Sequence, residues 1–94
     1  MSHLLSDRII RDIAKFAENN HLKKVILFGS RARGTHTERS DIDLAVIGGD
    51  AMNFSADLNE KAHTLLMFDV VSMDDGISEE LQRNIERDGV VIYG

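Results

Sequence analysis

The chain has 94 residues and a formal net charge of −5, and 43% of its residues are hydrophobic. This length predicts a single domain, residues 1–94. The acidic balance argues against broad non-specific binding to nucleic acid, and the lack of cysteine excludes disulfides and thiolate metal sites. No apolar run approaches the length of a membrane span, and the first residues lack a signal-peptide pattern, so we expect a cytoplasmic protein with no membrane partner.

The N-terminal third of the chain predicts a helix followed by a strand. Ser6 is a candidate N-cap for an amphipathic helix. Its apolar stripe is formed by Ile9, Ile10, Ile13, Phe16 and Ala17. Lys24–Phe28 is a short, partly β-branched apolar run, which favours a buried strand. Gly29 ends this run and, with Ser30, opens a short helical turn that Gly34 closes.

This glycine turn has features of a phosphate-binding loop. A strand that enters a helical turn through Gly29 and Ser30 leaves backbone N–H groups that favour phosphate oxygens. Ser30 adds a hydroxyl donor, and Arg31 and Arg33 add positive charge that could meet a triphosphate. The two glycines have Walker A spacing, but Thr35 stands where that loop needs lysine, which excludes a P-loop. Taken alone, such a turn is more often structural than functional.

The second predicted strand begins with two aspartates and ends in an apolar run. Asp41 and Asp43 are spaced i, i+2, so on a strand they share one face, with Cα atoms about 6.5–7 Å apart. Two carboxylates this close repel each other unless they are protonated or bridged by a cation. Oxygen ligands suit magnesium or manganese. The alternative is that Asp41 caps a turn and Asp43 is solvated, and an isolated Asp-x-Asp pair favours that alternative.

A third carboxylate strengthens the metal hypothesis. Asp69 lies in the middle of the strand-like apolar run Met67–Val71, where an unpaired charge is costly to bury. It therefore lies at an exposed sheet end or faces a cation. If its strand pairs beside that of Asp41 and Asp43, three carboxylates converge, and these form the ligand set of a two-metal phosphoryl or nucleotidyl transfer site.

The remaining segments predict two further helices and a closing strand. Their apolar stripes are Phe54, Leu58, Ala62, Leu65 and Leu66 in the first helix, and Leu81 and Ile85 in the second. Ser78 is a candidate cap for the second helix, Gly89 lies past its end, and Val90–Tyr93 is the last strand. The alternation of helices and strands predicts a small α/β (α+β) domain with a mixed β-sheet flanked by helices.

The turn Leu27–Gly34, the segment Ser40–Leu44 and Asp69 on a later strand form one combined motif. In this order they resemble the nucleotidyltransferases of the DNA polymerase beta superfamily, and in particular the minimal nucleotidyltransferase family. Members of that family are antitoxin-type proteins paired with HEPN-domain toxins. The helix beginning at Ser78 and the tail Asp88–Tyr93 extend the resemblance, which runs from about residue 25 to the C-terminus.

The resemblance implies metal-dependent transfer of AMP from ATP to a hydroxyl, with tyrosine of a HEPN-domain toxin as acceptor and a hetero-oligomeric complex. It implies helices on one face of the sheet. It also implies two Mg²⁺ ions, with Mn²⁺ possible, held by three catalytic residues, Asp41, Asp43 and Asp69. The nucleotide-binding residues it implies are Gly29, Ser30, Arg31, Arg33 and Ser40. Which arginine contacts phosphate stays open.

Two other functions remain open at this point. One is a non-catalytic antitoxin that neutralises its partner by binding alone, although binding would not need a complete set of carboxylates. The other is a small-molecule nucleotidyltransferase of the aminoglycoside-modifying kind. The short length argues against it, because those enzymes resemble this domain with a further helical domain added.

Overall fold

The structure, a computed structural model, describes residues 5–37 and 39–94. In this part of the chain the helices and strands follow the predicted order. They are α1 (Asp7–Asn19), β1 (Lys24–Phe28), α2 (Gly29–Arg33), β2 (Ile42–Ile47), α3 (Ala51–Lys61), β3 (Phe68–Ser72), α4 (Glu79–Asp88) and β4 (Val90–Tyr93), with a short 3-10 helix at Met73–Asp75. None of the helices in the described ranges has both the length and the apolarity needed to cross a membrane.

The four strands form one mixed sheet in the order β3-β2-β1-β4. β1 runs antiparallel to both β2 and β4, whereas β2 and β3 are parallel and are joined by the crossover through α3. The predicted α+β domain with a mixed sheet is therefore confirmed. In this topology the last residue of β1 and the first residues of β2 and β3 lie at the same end of the sheet.

Side-chain caps define where three of the helices begin. Ser6, Asp50 and Ser78 each accept a hydrogen bond from the backbone N–H three residues further on, at 3.3, 3.0 and 3.1 Å. These bonds satisfy backbone donors that lack a partner within the helix. The caps predicted at Ser6 and Ser78 are confirmed, and the cap at Asp50 fixes where the chain leaves the Gly48-Gly49 turn.

Helices cover both faces of the sheet, so the expectation of helices on one face was wrong. On one face α1 and α3 pack against a cluster that includes Val25, Leu27 and Leu44. On the other face Ile85 of α4 packs against Phe28 and Ala45. The physical reason is that β1 and β2 are apolar at successive positions, and side chains on a strand alternate between faces, so both faces need cover.

The predicted stripe of α3 was too long. The helix ends at Lys61, and Leu65 beyond it is 103% exposed, while Leu66 is half-buried against the core. The chain turns away because buried Asp12 of α1 binds His63. The Asp12 Oδ2 atom accepts the His63 backbone N–H at 2.8 Å and lies 2.8 Å from the ring Nδ1. The apolar residues keep their helical spacing beyond Lys61, but this long-range contact ends the helix there.

The Asp12–His63 contact predicts a pH-dependent loss of stability. Burial raises the pKa of Asp12, but hydrogen bonds from the backbone and ring of His63, with the charges of His63 and Arg8, outweigh burial and hold the pKa below its usual value. The stabilisation is therefore present above the unfolded-state pKa and is lost as pH falls through the folded-state pKa. We expect Asp12→Ala to lower the free energy of unfolding by about 1.5–3 kcal/mol at neutral pH.

Urea unfolding between about pH 7 and about pH 2 measures the difference in free energy of unfolding between the wild type and Asp12→Ala. It should shrink as pH falls below the ordinary pKa of aspartate, about 3.9. Glu18→Ala, an exposed change on the same helix, should stay within about 0.5 kcal/mol of the wild type. A difference for Asp12→Ala that is constant across this pH range would show that the carboxylate is not responsible.

Candidate active site

The parallel pairing of β2 and β3 places two of the predicted carboxylates side by side. Asp43 and Asp69 are Cα partners in this ladder, so their side chains lie on the same face. The conditional prediction that the strand of Asp69 pairs beside that of Asp43 is confirmed. Asp41 lies directly before β2 and is exposed, as is Asp69, whereas Asp43 is half-buried. The three aspartates thus lie at or next to the starts of β2 and β3.

The glycine turn lies against the central carboxylate. Asp43 is the Cα partner of Phe28, the last residue of β1, so Gly29 begins α2 directly beside it. Gly29 has φ +76, in the left-handed region, and a Cβ added there would overlap the Asp43 Oδ2 atom. Glycine is therefore needed here for two reasons, the backbone conformation and the close approach of the carboxylate.

The pKa of Asp43 depends on the charges of the neighbouring carboxylates. Burial raises the pKa of Asp43, and the charges of Asp69 and Asp41 raise it further, while Arg33 lowers it. The net pKa lies above its usual value. A carboxylate in this position is destabilised as an anion until a positive charge approaches.

The donor chemistry of this cluster fits a divalent cation. Within residues 5–37 and 39–94, no three His, Asp or Glu side chains are already grouped closely enough to hold a metal ion. Asp43 and Asp69 lie on neighbouring strands, and Asp41 is an exposed side chain two residues before Asp43. Carboxylate oxygens are the ligands that Mg²⁺ and Mn²⁺ prefer. The chemistry of these donors therefore suits such an ion.

The two arginines of α2 lie in different environments. Arg31 is buried, and its guanidinium donates to the Ser40 carbonyl oxygen from Nε at 3.2 Å and from Nη2 at 3.0 Å. It therefore holds the loop between α2 and β2. Arg33 is exposed, and its guanidinium lies 3.7 Å from the Asp88 carboxylate. Its positive charge lowers the pKa of Asp43. Of the two, Arg33 is the one that solvent and ligands can reach.

The two serines differ in a similar way. Ser30 is half-buried on α2, and its carbonyl oxygen accepts the Thr35 backbone N–H at 2.9 Å, which closes the turn. The Ser40 hydroxyl accepts the Thr37 backbone N–H at 2.9 Å and lies 3.2 Å from the Thr37 hydroxyl. Ser40 thus supports the loop before Asp41. Its predicted contact with nucleotide, like that of Ser30, stays a prediction.

A cavity beside Asp41 was not expected from the sequence. It has a volume of about 570 Å³ and is lined by Arg39, Asp41, Thr64, Leu65, Leu66 and Met67. The sequence offered no signal for it, because helical spacing had assigned two of these residues to a buried helix face. Its lining comes from the two segments that lead into β2 and β3.

Comparison with known proteins identifies a family and several relatives. Residues 11–94 match the family "Polymerase beta, Nucleotidyltransferase". The chain is 41% identical over 81 residues to a Methanocaldococcus jannaschii protein named "Putative protein adenylyltransferase MJ0604", a match that covers 77% of this chain and 79% of that protein.

Two solved structures are similar in fold and sequence. One is a crystal structure of a toxin-antitoxin with AMP-PNP, at a TM-score of 0.74 and 26% identity, covering 90% of this chain and 73% of that chain. The other is a crystal structure of a mutant of the toxin-antitoxin MntA-HpeT, at a TM-score of 0.69 and 26% identity, covering 89% of this chain and 71% of that chain.

The geometry at Gly29 predicts a large difference between two glycine substitutions. Gly29 and Gly34 bound the same short helix with φ +76 and +78, but a Cβ at Gly34 meets nothing within 4 Å. Alanine at either position adds about 1–2 kcal/mol of left-handed strain, and only Gly29→Ala also displaces the Asp43 carboxylate. We expect Gly29→Ala to lower the melting temperature more than Gly34→Ala, as measured by thermal unfolding. Equal losses would show that the Asp43 contact does not constrain the turn.

Proposed function

The chain belongs to the polymerase beta nucleotidyltransferase family, and we propose that it transfers AMP from ATP to a hydroxyl of a partner toxin and thereby acts as the antitoxin. The observation that carries this proposal is the placement of Asp43 beside Asp69, against Gly29. A relative named as a protein adenylyltransferase supports a protein acceptor. Similar structures of toxin-antitoxins, one with AMP-PNP, support the antitoxin role and an adenine nucleotide.

The proposed reaction is a nucleotidyl transfer. The acceptor oxygen forms a bond to the α-phosphorus, and the bond from that phosphorus to the oxygen bridging to the β-phosphate breaks. Pyrophosphate leaves with the bonding electron pair, and the acceptor hydroxyl gives its proton to the Asp69 carboxylate. Asp69 suits this role because it is exposed on the edge strand, where an acceptor can approach it.

Each site residue has a distinct role in this proposal. Two divalent cations, Mg²⁺ or Mn²⁺, held by Asp41, Asp43 and Asp69, would neutralise phosphate charge and lower the pKa of the acceptor hydroxyl. Gly29 and Ser30 donate to the β- and γ-phosphates from the start of α2. Arg33, the exposed arginine of that helix, balances the charge that develops on pyrophosphate.

We propose a tyrosine of a HEPN-domain toxin as the acceptor, in a hetero-oligomeric complex. The combined glycine-turn and Asp-x-Asp motif supports this, through its resemblance to antitoxins that pair with such toxins. Docking of a partner protein supplies the proximity and orientation that transfer requires. The chain carries a net charge of −5, so a basic partner surface would speed the encounter.

The direct test is to incubate the chain with ATP, Mg²⁺ and a candidate HEPN-domain partner that forms a complex with it. Intact-mass spectrometry should show the partner gaining one AMP, and peptide mapping should locate it on tyrosine. Asp69→Asn should abolish the added mass and leave complex formation intact on a sizing column. A bound but unmodified partner would support neutralisation by binding alone, and modified small alcohols would indicate a small-molecule enzyme.

The raised pKa of Asp43 leads to a prediction about metal and stability. Asp43→Asn removes one of the repelling charges, so it should raise the melting temperature in EDTA. The same change should remove nearly all the stabilisation that Mg²⁺ with ATP gives the wild type through linkage. Asp75→Asn is an equal change of charge at an exposed position of the 3-10 helix. It should change neither the melting temperature in EDTA nor the stabilisation by Mg²⁺ with ATP. If Asp43→Asn gains as much from Mg²⁺ with ATP as the wild type, Asp43 is not a metal ligand.

A further inference from the structure

Apart from Asp41, the side chains that line the cavity have no role in the proposed nucleotide site. We propose that this surface, formed by Arg39, Asp41, Thr64, Leu65, Leu66 and Met67 and here called the acceptor rim, docks the partner-protein segment that carries the acceptor hydroxyl. The inference rests on the proposed function and assigns the residues that would recognise the acceptor.

Two large apolar side chains of the acceptor rim face solvent. Leu65 is 103% exposed and Met67 is 59% exposed. Single exposed apolar residues are common on protein surfaces. These two are separated by one residue and border the same cavity as a carboxylate of the active site. Burying them against a partner would remove apolar area from water, which is the main favourable term in protein association.

The segment that carries these side chains is anchored, so their exposure does not come from a loose end. Asp12 holds the His63 backbone N–H, and the Thr64 hydroxyl accepts the Leu66 N–H at 3.1 Å. The Met67 carbonyl oxygen accepts the Ile42 N–H at 2.9 Å, which ties the segment to β2. A binding surface that is already ordered loses less conformational entropy on docking.

The order of the strands assigns the occupant. At the end of the sheet where the carboxylates lie, the strand order gives the glycine turn after β1, then Asp41 and Asp43 at β2, then Asp69 and the rim residues Thr64–Met67 at β3. The triphosphate belongs on the β1 side, against Gly29. The acceptor then approaches from the β3 side, where the rim residues Thr64–Met67 lead into the strand of Asp69.

The chemistry of the rim describes the partner segment it would take. A cavity of about 570 Å³ lies within the range of about 300–1,000 Å³ typical of side-chain and small-ligand sites. A tyrosine ring can pack against Leu65 and the flexible thioether of Met67, beside Asp41, the proposed active-site carboxylate that lines the cavity. Arg39 adds one positive charge that an acidic residue beside the tyrosine would meet.

Steady-state transfer to the partner toxin tests the acceptor rim. Leu65→Ser and Met67→Gln change exposed side chains, and each should raise the KM for the toxin about tenfold or more, because each replaces with a polar group apolar area that docking would bury. The kcat at saturating toxin and the affinity for ATP with Mg²⁺ should stay within about twofold of the wild type. Met52→Gln, also an exposed methionine but on α3 outside the rim, should change none of these values.

Photo-cross-linking measures docking of the toxin independently of catalysis. The chain has no cysteine, so Leu65→Cys and Met52→Cys each take a single photoactivatable label. In an Asp69→Asn background, the label at position 65 should cross-link to the toxin peptide that contains the acceptor tyrosine, and the label at position 52 should not.

The outcomes separate this inference from the proposed function. If the wild type modifies the toxin but Leu65→Ser and Met67→Gln leave its KM unchanged, the acceptor rim is wrong and the transfer activity stands. If the toxin binds unmodified and still cross-links at position 65 beside its tyrosine, the docking surface stands and transfer fails. Cross-links at position 52 alone overturn the docking surface.

Discussion

The main constraint on this structure is that the parallel pairing of β2 and β3 places two like-charged carboxylates side by side. Asp43 and Asp69 are direct partners in this ladder, and no contact between the two side chains themselves favours that arrangement. The register is set from the other face of β2, where Ile42 and Leu44 are fully buried. A slip of one residue would turn Asp43 into the core and these residues out to solvent, so core packing fixes the positions of the two carboxylates.

Magnitudes explain why the fold tolerates this repulsion. Two unit charges 4 Å apart repel by about 1 kcal/mol in water and by about 4 kcal/mol near a protein surface. Asp41 and Asp69 are exposed, so their effect on Asp43 lies toward the lower value. Each large apolar side chain fully buried in the core contributes roughly 1.5–3 kcal/mol, and the two faces of the sheet bury many of them. Packing can therefore hold the site in a state that favours a cation.

The sequence was a good guide to elements and a poorer guide to contacts between distant residues. Apolar runs located all four described strands, and capping residues located the starts of α1 and α4. The pairing of Asp69 with Asp43 could be stated only as a condition, because nothing local in either strand specifies its neighbour. The face covered by α4 was predicted wrongly, since an amphipathic stripe such as Leu81 and Ile85 shows that a helix packs but not on which side.

The end of α3 shows the same limit in more detail. Leu65 and Leu66 continue the helical spacing of Phe54 and Leu58, and local sequence alone favours one longer helix. Asp12 lies 51 residues before His63, and its hydrogen bonds end that helix. The outcome places an apolar segment beside the active site. A contact made far along the chain thus determines a surface that local periodicity would have buried.

The two arginines of α2 show how one short motif can serve both scaffold and site. They are two residues apart on a helix of 3.6 residues per turn, so they project in different directions. Arg31 points inward and binds the carbonyl oxygen of Ser40, the residue before Asp41. Through that bond it fixes the loop that delivers Asp41 to the start of β2. Arg33 points outward, near the charge of Asp43. Arg31 therefore acts on the aspartates by positioning them, and Arg33 acts by its charge.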